Sequence, residues 1–258
     1  WIGWSGMTQE ELNSELEAKV KKAVAKEQCV AVDLTQRDMD LYYYGFSNRT
    51  LWPLFHYFIE YTEYDPESWE TYKSVNQKFA DKVLEHAEEG DKIWVQDYQL
   101  LLVPAMVKAK QPKLSIGFFN HIPFPSYEIF RTFPKRKELL EGILGADLIG
   151  FHTYDYERHF LSSVKRILSL EVNFNRITYN NRIIKVDSFP MGIDYDKFEQ
   201  AAHDHDKKGE EEKSEIQKRL DHHLQNEDGS KMILSIDRMD YTKGIPNRIK
   251  AFEYFLKK

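Results

Sequence analysis

Polar side chains follow several apolar runs of this sequence, at the points where those runs end. Asp97 ends the run KIWVQD, and His121 directly follows the run SIGFFN. Asp237 and Arg238 follow a later run, KMILSI. If these runs are parallel strands, their carboxyl ends line one crevice, which is where α/β proteins bind ligands. Each position also has a plainer interpretation, such as Asp97 capping a following helix.

Two prolines restrict the chain next to His121. Pro123 and Pro125 fix their own φ angles and limit the residues before them, so this loop is expected to hold a defined shape. A rigid loop that carries an ionisable group at the end of a strand is a typical place for catalysis or binding. A capped core histidine beside an ordinary turn is the alternative.

Arg238 and Lys243 place two cations on one loop, RMDYTKG, that leads into a predicted helix. Cations beside a helix amino terminus form an anion site, and a diphosphate is a natural occupant. A solvated loop remains the alternative interpretation of this pair.

Aromatic residues are dense in the segment 41–58, LYYYGFSNRTLWPLFHYF. Tyr43 and Trp52, together with Trp4 in WIGWSG, are candidates for a sugar-binding surface. Flat rings stack on pyranose faces, and Tyr and Trp each add a polar edge. Ordinary core packing is the alternative, and neither these aromatics nor the cations alone identify an enzyme.

The elements that would position these residues alternate along the chain. Helix-like periodicity separates the apolar runs, and strands that are apolar on both faces predict an α/β fold. Its sheet would be parallel, with helices on both faces. The runs flanking Asn180-Asn181 predict a β-hairpin. The predicted strands are 29–34, 92–98, 115–120, 146–152, 183–190 and 231–237.

The domain organisation follows a change in composition. Residues 1–195 are predicted to form one domain, and 196–230 a charged helical connection with almost no large apolar side chains. Residues 231–258 would form the first strand and helix of a second domain. Because the chain opens with Trp1 inside an apparent strand-and-loop unit, we interpret it as a fragment.

Composition excludes several classes of protein. Lys and Arg number 36 against 42 Asp and Glu, and the resulting net charge of −6 argues against a nucleic-acid partner. No apolar run reaches the ~18 residues that a membrane span needs. Cys29 is the single cysteine, so the sequence has no intramolecular disulfide and suits a reducing compartment. We therefore expect a cytoplasmic protein.

An ordered set of motifs resembles the trehalose-6-phosphate synthase family, and the resemblance covers nearly the whole chain. The motifs are WIGWSG, YYYGFSNRTLWPLFHY, IWVQDYQLLLVP, IGFFNHIPFPSYEIFR, LIGFHTYDYERHFLSSVKRIL, FPMGID and RMDYTKGI. The resemblance implies a GT-B arrangement of two facing Rossmann-like domains. It also implies a retaining glycosyltransferase that moves glucose from UDP-glucose to glucose 6-phosphate, giving trehalose 6-phosphate and UDP.

The resemblance also implies residue roles on the acceptor side. Asp97 and Trp4 would contact the acceptor sugar, and Tyr43 with Trp52 would help to hold its phosphate. His121 would lie at the transferred glucose.

On the donor side, the resemblance implies that Arg238 and Lys243 bind the diphosphate. No metal and no cofactor are expected, because the cations can neutralise the leaving diphosphate. The leaving phosphate would itself deprotonate the acceptor, so no enzymic nucleophile is required.

The sequence departs from the family pattern at Tyr44, Gln99 and Asn120, and the first strand with its glycine-rich loop is missing. Most of the second domain is also missing, so we expect the chain alone to be inactive. A related GT-B synthase with another acceptor, such as glycerol 3-phosphate, and a non-catalytic regulatory subunit remain alternatives. The donor nucleotide, a fused phosphatase domain and homo-oligomer formation stay open.

Overall fold

The computed structural model describes residues 1–206, 213–226 and 232–257. Parts of the predicted charged connection, 207–212 and 227–230, and the predicted strand residue Lys231 lie outside the described residues. The chain divides into two compact units, Trp1–Met191 and Gly192–Lys258.

The first unit contains most of the regular structure. Its strands are β1 (Ile2–Gly3), β2 (Val30–Ala31), β3 (Lys92–Gln96), β4 (Ser115–Asn120), β5 (Leu148–Phe151), β6 (Val172–Asn173), β7 (Arg176–Tyr179) and β8 (Arg182–Ser188). Its helices are α1 (Ser14–Lys26), α2 (Gln36–Asp38), α3 (Trp52–Phe55), α4 (Pro66–His86), α5 (Val103–Lys110), α6 (Tyr127–Phe130), α7 (Arg136–Ile143) and α8 (Tyr154–Ile167). A π-helix spans Met39–Leu51, between α2 and α3.

The main sheet has six strands in the order β3-β4-β5-β8-β7-β6. Strands β3, β4, β5 and β8 are parallel, whereas β7 and β6 continue the sheet antiparallel. The central strands are buried, with Phe118, Ile149 and Phe151 at most 2% exposed, because helices flank the sheet. The predicted α/β fold is therefore confirmed, and its predicted parallel sheet is parallel over β3, β4, β5 and β8.

The predicted hairpin is also confirmed, since β7 and β8 pair antiparallel around Asn180 and Asn181. Both turn residues have positive φ angles, 48° and 57°. A two-residue turn of this kind requires left-handed backbone, and asparagine tolerates it better than most residues.

Two predicted strands differ from the structure. In the run 29–34 only Val30–Ala31 is a strand, and it pairs with β1 in a separate two-stranded sheet. The described part of the run 231–237 contains no strand, and Ile233, Leu234 and Ile236 are exposed. A strand needs a neighbouring strand to accept its backbone hydrogen bonds, and the described part of this unit offers none.

The second unit is helical. It contains α9 (Tyr195–Asp206), α10 (Glu215–Asn226) and α11 (Ile245–Leu256), with a 3₁₀ turn at Tyr241–Lys243 just before α11. The predicted start of a second domain therefore contains its helix but lacks its strand over residues 232–237.

Candidate active site

Asp97 links the carboxyl ends of β3 and β4. Its backbone N–H donates to the carbonyl oxygen of Phe119 at 2.8 Å, and its Oδ1 accepts from the backbone N–H of His121 at 3.0 Å. Its φ of 67° is uncommon for a residue other than glycine. Such backbone conformations concentrate at functional sites, where the surrounding structure enforces them.

Helix α4 holds the turn that follows Asp97. The Tyr72 hydroxyl donates to the carbonyl oxygen of Tyr98 at 2.7 Å and accepts from the N–H of Leu101 at 3.1 Å. Both Tyr72 and Asn76 are fully buried. Asn76 similarly donates to the carbonyl oxygen of Gln99 at 3.0 Å. Buried side chains of α4 therefore pair backbone groups in and beside the 3₁₀ turn Tyr98–Leu100.

The loop after His121 is anchored in the core by Phe124, which lies between the two prolines. Its ring centroid is 5.4 Å from Phe55, 5.0 Å from Phe130 and 5.3 Å from Phe160. Phe124 is 1% exposed, whereas His121 is exposed. The prolines and this aromatic anchor hold the loop, and the histidine ring is left accessible.

The His121 ring lies over the carboxyl edge of the sheet. Its Nε2 is 2.7 Å from Oε1 of Gln96, and its centroid is 4.7 Å from that of Phe119. It borders a cavity of about 470 Å³ on one face of the sheet. Gly117 and Gly150 lie in this cavity's lining, and a Cβ on Gly150 would approach Phe119 to 2.6 Å.

A second histidine stands beside the first. The His152 ring, just after β5, lies 5.4 Å from the His121 ring and 5.1 Å from the Phe119 ring. Burial lowers the pKa of His152 below its usual value, the charge of His121 lowers it further, and Asp97 opposes the change. A neutral imidazole is therefore favoured here.

Burial raises the pKa of the Asp97 carboxyl, whereas it lowers that of His152. The backbone N–H groups of His121 and Tyr98 and the two nearby histidines oppose this rise, because they favour the charged carboxylate. A partly desolvated carboxylate beside two imidazoles is an arrangement that can accept hydrogen bonds from sugar hydroxyls.

The predicted sugar-binding aromatics lie on different elements of the first unit. Trp52 opens α3, and its ring is 5.7 Å from that of Tyr98, the neighbour of Asp97. Tyr43 lies in the π-helix and packs partly against the core. Trp4 donates through Nε1 to the carbonyl oxygen of Met7 at 2.9 Å, within its own loop. Of these three aromatic residues, Trp52 is the one whose ring contacts the turn that follows Asp97.

The predicted diphosphate residues lie in the second unit, and both side chains are exposed. Lys243 ends the 3₁₀ turn, and Gly244, with a φ of 62°, precedes α11. Asp240 caps this turn by accepting from the N–H of Thr242 at 2.8 Å. The structure therefore places Lys243 at a helix amino terminus, with Arg238 in the irregular chain before it.

The match with known proteins decides the family. The model of Glycosyltransferase family 20 matches residues 1–258, which is the whole length of this chain. The chain belongs to this family.

Family members with similar sequences include UDP-forming α,α-trehalose-phosphate synthases from yeasts. The Pichia angusta protein is 43% identical over 265 residues, covering 100% of this chain and 54% of that protein. The Schizosaccharomyces pombe protein is 43% identical over 260 residues, covering 99% of this chain and 48% of that protein. The chain thus spans about half the length of these relatives.

Solved structures of the family share this fold. A UDP-forming synthase from Burkholderia xenovorans superposes with a TM-score of 0.83 at 34% identity, covering 99% of this chain and 55% of that chain. The trehalose-6-phosphate synthase OtsA superposes with a TM-score of 0.83 at 30% identity, covering 100% of this chain and 54% of that chain.

Metal-binding clusters and membrane-spanning helices are absent from the part of the chain that the structure describes. In residues 1–206, 213–226 and 232–257, no group of three or more His, Cys, Asp or Glu side chains is placed to hold a metal ion. Within the same described residues, no helix combines the length and the apolarity that a membrane crossing requires.

Sequence reasoning missed several residues of the candidate site. His152 ends a predicted strand, so the criterion that selected Asp97 and His121 would also have found it. Gln96 was overlooked because it is uncharged. Tyr72 is an aromatic residue in a helix, and nothing in the sequence reveals that its hydroxyl bonds to a distant turn.

Proposed function

We propose that this chain forms the acceptor side, and part of the donor side, of a retaining glucosyltransferase. The enzyme would move glucose from UDP-glucose to glucose 6-phosphate, giving trehalose 6-phosphate and UDP. The proposal rests on one observation at the carboxyl edge of the sheet. There the Asp97 carboxylate accepts a hydrogen bond from the backbone N–H of His121. Family membership and the names of the synthase relatives support it.

The acceptor assignment has a further line of support. A synthase from Burkholderia xenovorans was solved in complex with glucose-6-phosphate, and it is 32% identical to this chain with a TM-score of 0.79. In the proposed enzyme the Asp97 carboxylate accepts hydrogen bonds from the acceptor sugar. Trp4 would contact the same sugar, and Tyr43 and Trp52 would help to bind its phosphate.

The proposed reaction exchanges one bond at the anomeric carbon for another on the same face. The bond from glucose C1 to the diphosphate oxygen breaks, and a bond forms from C1 to the anomeric oxygen of the acceptor. The leaving phosphate takes the acceptor's proton. Arg238 and Lys243 would stabilise the charge that develops on the diphosphate, without a metal. His121 would hydrogen-bond to the transferred glucose.

The names of the synthase relatives do not favour the alternative, a non-catalytic regulatory subunit. The N-terminal domain of Candida albicans trehalose-6-phosphate phosphatase superposes with a TM-score of 0.80 at 32% identity. Because a domain of this fold also occurs in a protein named for phosphatase activity, the experiment below includes a non-catalytic outcome. We also propose a cytoplasmic location, because the single cysteine suits a reducing compartment.

The test is UDP release from UDP-glucose by a version of the protein extended to the full length of its relatives. Release that depends on glucose 6-phosphate supports the proposal, whereas release with glycerol 3-phosphate alone supports a different acceptor. No release with either acceptor supports the non-catalytic alternative.

Arg238→Ala and Lys243→Ala should each lower the rate roughly a hundredfold, since each variant removes a positive charge from the site of the leaving diphosphate. Wild-type turnover in both variants would contradict the donor assignment.

A further inference from the structure

We propose that Gln96 is a positioning residue that fixes the ring of His121 and keeps the ring proton on Nε2. The contact that motivates this role is the 2.7 Å distance between Gln96 Oε1 and His121 Nε2. The proposal extends the proposed function, because it concerns the histidine that would face the transferred glucose.

Strand geometry explains why Gln96 reaches this ring. Gln96 lies opposite Phe119 in the parallel register of β3 and β4. Side chains alternate between the faces of a strand, so Gln96, Phe119 and His121 project on the same side of the sheet. All three residues line the same cavity. His121 lies two residues beyond Phe119, and the Gln96 side chain is long enough to reach its ring.

The chemistry of the amide determines the tautomer. An amide oxygen can only accept a hydrogen bond, so the nitrogen facing it must carry the proton. When Nε2 of a neutral imidazole is protonated, Nδ1 holds the lone pair. The Nδ1 atom can then accept a hydrogen bond from a sugar hydroxyl.

Gln96 and Asp97 act on different atoms of the same histidine. The Asp97 carboxylate accepts from the backbone N–H of His121, whereas Gln96 contacts the ring. An uncharged partner fixes the ring without the added attraction that a carboxylate would exert on an imidazolium. The ionisable groups that face the His121 ring are Asp97 and His152. Gln96 therefore acts on the tautomer of the ring.

The test uses the 258-residue chain itself, with histidine rings labelled with ¹⁵N. Long-range ¹H–¹⁵N correlations distinguish protonated from unprotonated ring nitrogens, and loss of signals in His121→Gln identifies the His121 ring. We expect the Nε2–H tautomer in the wild type. Gln96→Leu should move the two nitrogen shifts toward their average, whereas Gln99→Leu, the control at a nearby glutamine, should leave them unchanged.

A second variant retains the acceptor. Gln96→Glu should preserve the Nε2–H tautomer and raise the pKa at which the ring titrates, because it adds an anionic partner. Observation of Nδ1–H in the wild type, unchanged shifts in Gln96→Leu, or an unchanged ring titration in Gln96→Glu would each overturn the proposal. If Gln96→Leu does not fold, the wild-type tautomer and the Gln96→Glu titration still decide it. Because none of these measurements depends on transfer, a failure of the proposed function would be recognised separately.

Discussion

At the scale of single residues, the candidate site depends on backbone contacts as much as on side chains. Asp97 has a positive φ angle, and its carboxylate accepts a hydrogen bond from the backbone N–H of His121. The charge of Asp97 and the position of His121 are therefore coupled. A substitution at Asp97 changes both the electrostatics and the loop geometry, so His121 and His152 are better positions at which to separate the two effects.

We expect His121→Ala to reduce transfer far more than it reduces stability. The ring is exposed, so its loss should change the free energy of unfolding by about 1 kcal/mol or less. In a version of the protein extended to the length of its relatives, transfer should fall roughly a hundredfold, because the sugar loses a preorganised hydrogen-bonding partner.

The control for this prediction is Phe124→Ala in the same loop. Its ring is buried, so its removal should cost about 3–5 kcal/mol of stability. Urea denaturation measures stability, and UDP release measures transfer. An equally large loss of stability in His121→Ala would show that the histidine is a core residue.

His152 should make stability depend on pH. Its pKa is lower in the folded than in the unfolded chain, so the unfolded state binds the proton first as the pH falls. The free energy of unfolding should therefore decrease as the pH is lowered from about 7 through the unfolded pKa of about 6.5. The decrease ends once both states are protonated.

The His152→Gln variant isolates this contribution, because every other histidine is retained. Its melting temperature should fall less than that of the wild type between pH 7.5 and pH 5.5, a window of about one unit on either side of the unfolded value. His86→Gln, at the exposed end of α4, is the comparison for removing a histidine elsewhere. Parallel curves for His152→Gln and the wild type would contradict the prediction.

At the scale of elements, the strands were predicted where burial on both faces leaves an uninterrupted apolar run. The bounds predicted for β4 agree with the structure, 115–120, and β5 and β8 lie close to their predicted ranges. The π-helix Met39–Leu51 was not predicted, because its aromatic residues also fit a simple core segment. Local sequence also cannot show that α4 supports the Asp97 turn, since those hydrogen bonds join distant residues.

The support from α4 leads to a prediction for Tyr72→Phe. The variant keeps the buried ring but removes a hydroxyl that bonds to Tyr98 and Leu101. Leaving these buried backbone groups unpaired should cost about 1–3 kcal/mol. Tyr44→Phe is the matched control, because the Tyr44 ring is 49% exposed.

Urea denaturation of the two variants measures the difference in free energy of unfolding. Amide hydrogen exchange at residues 98–102 should also increase in Tyr72→Phe, because the turn loses its support. Equal stability of Tyr72→Phe and Tyr44→Phe would mean that α4 contributes packing alone.

At the scale of the whole molecule, the described parts of the two units differ in how well they bury apolar side chains. The first unit has a continuous core, whereas Ile233, Leu234, Phe252 and Phe255 of the second unit are exposed. The site residues follow the same division, since Asp97 and His121 belong to the first unit and Arg238 and Lys243 to the second. The acceptor side of the proposed enzyme therefore rests on the better-packed unit.

We expect the 258-residue chain to fold through its first unit yet to catalyse no measurable transfer. Holding donor and acceptor in reactive geometry can contribute ~7–11 kcal/mol to the lowering of a barrier. In the described residues, the donor would meet only Arg238, Lys243 and α11, and no strand forms beside them over 232–237. The diphosphate cations then lack a sheet that would fix their positions. The measurement is acceptor-dependent UDP release, run beside a version of the protein as long as its relatives.

Circular dichroism and a cooperative urea transition would establish that the first unit is folded in the same sample. Release by the 258-residue chain at a rate near that of the longer protein would show that the donor site has been assigned to the wrong residues.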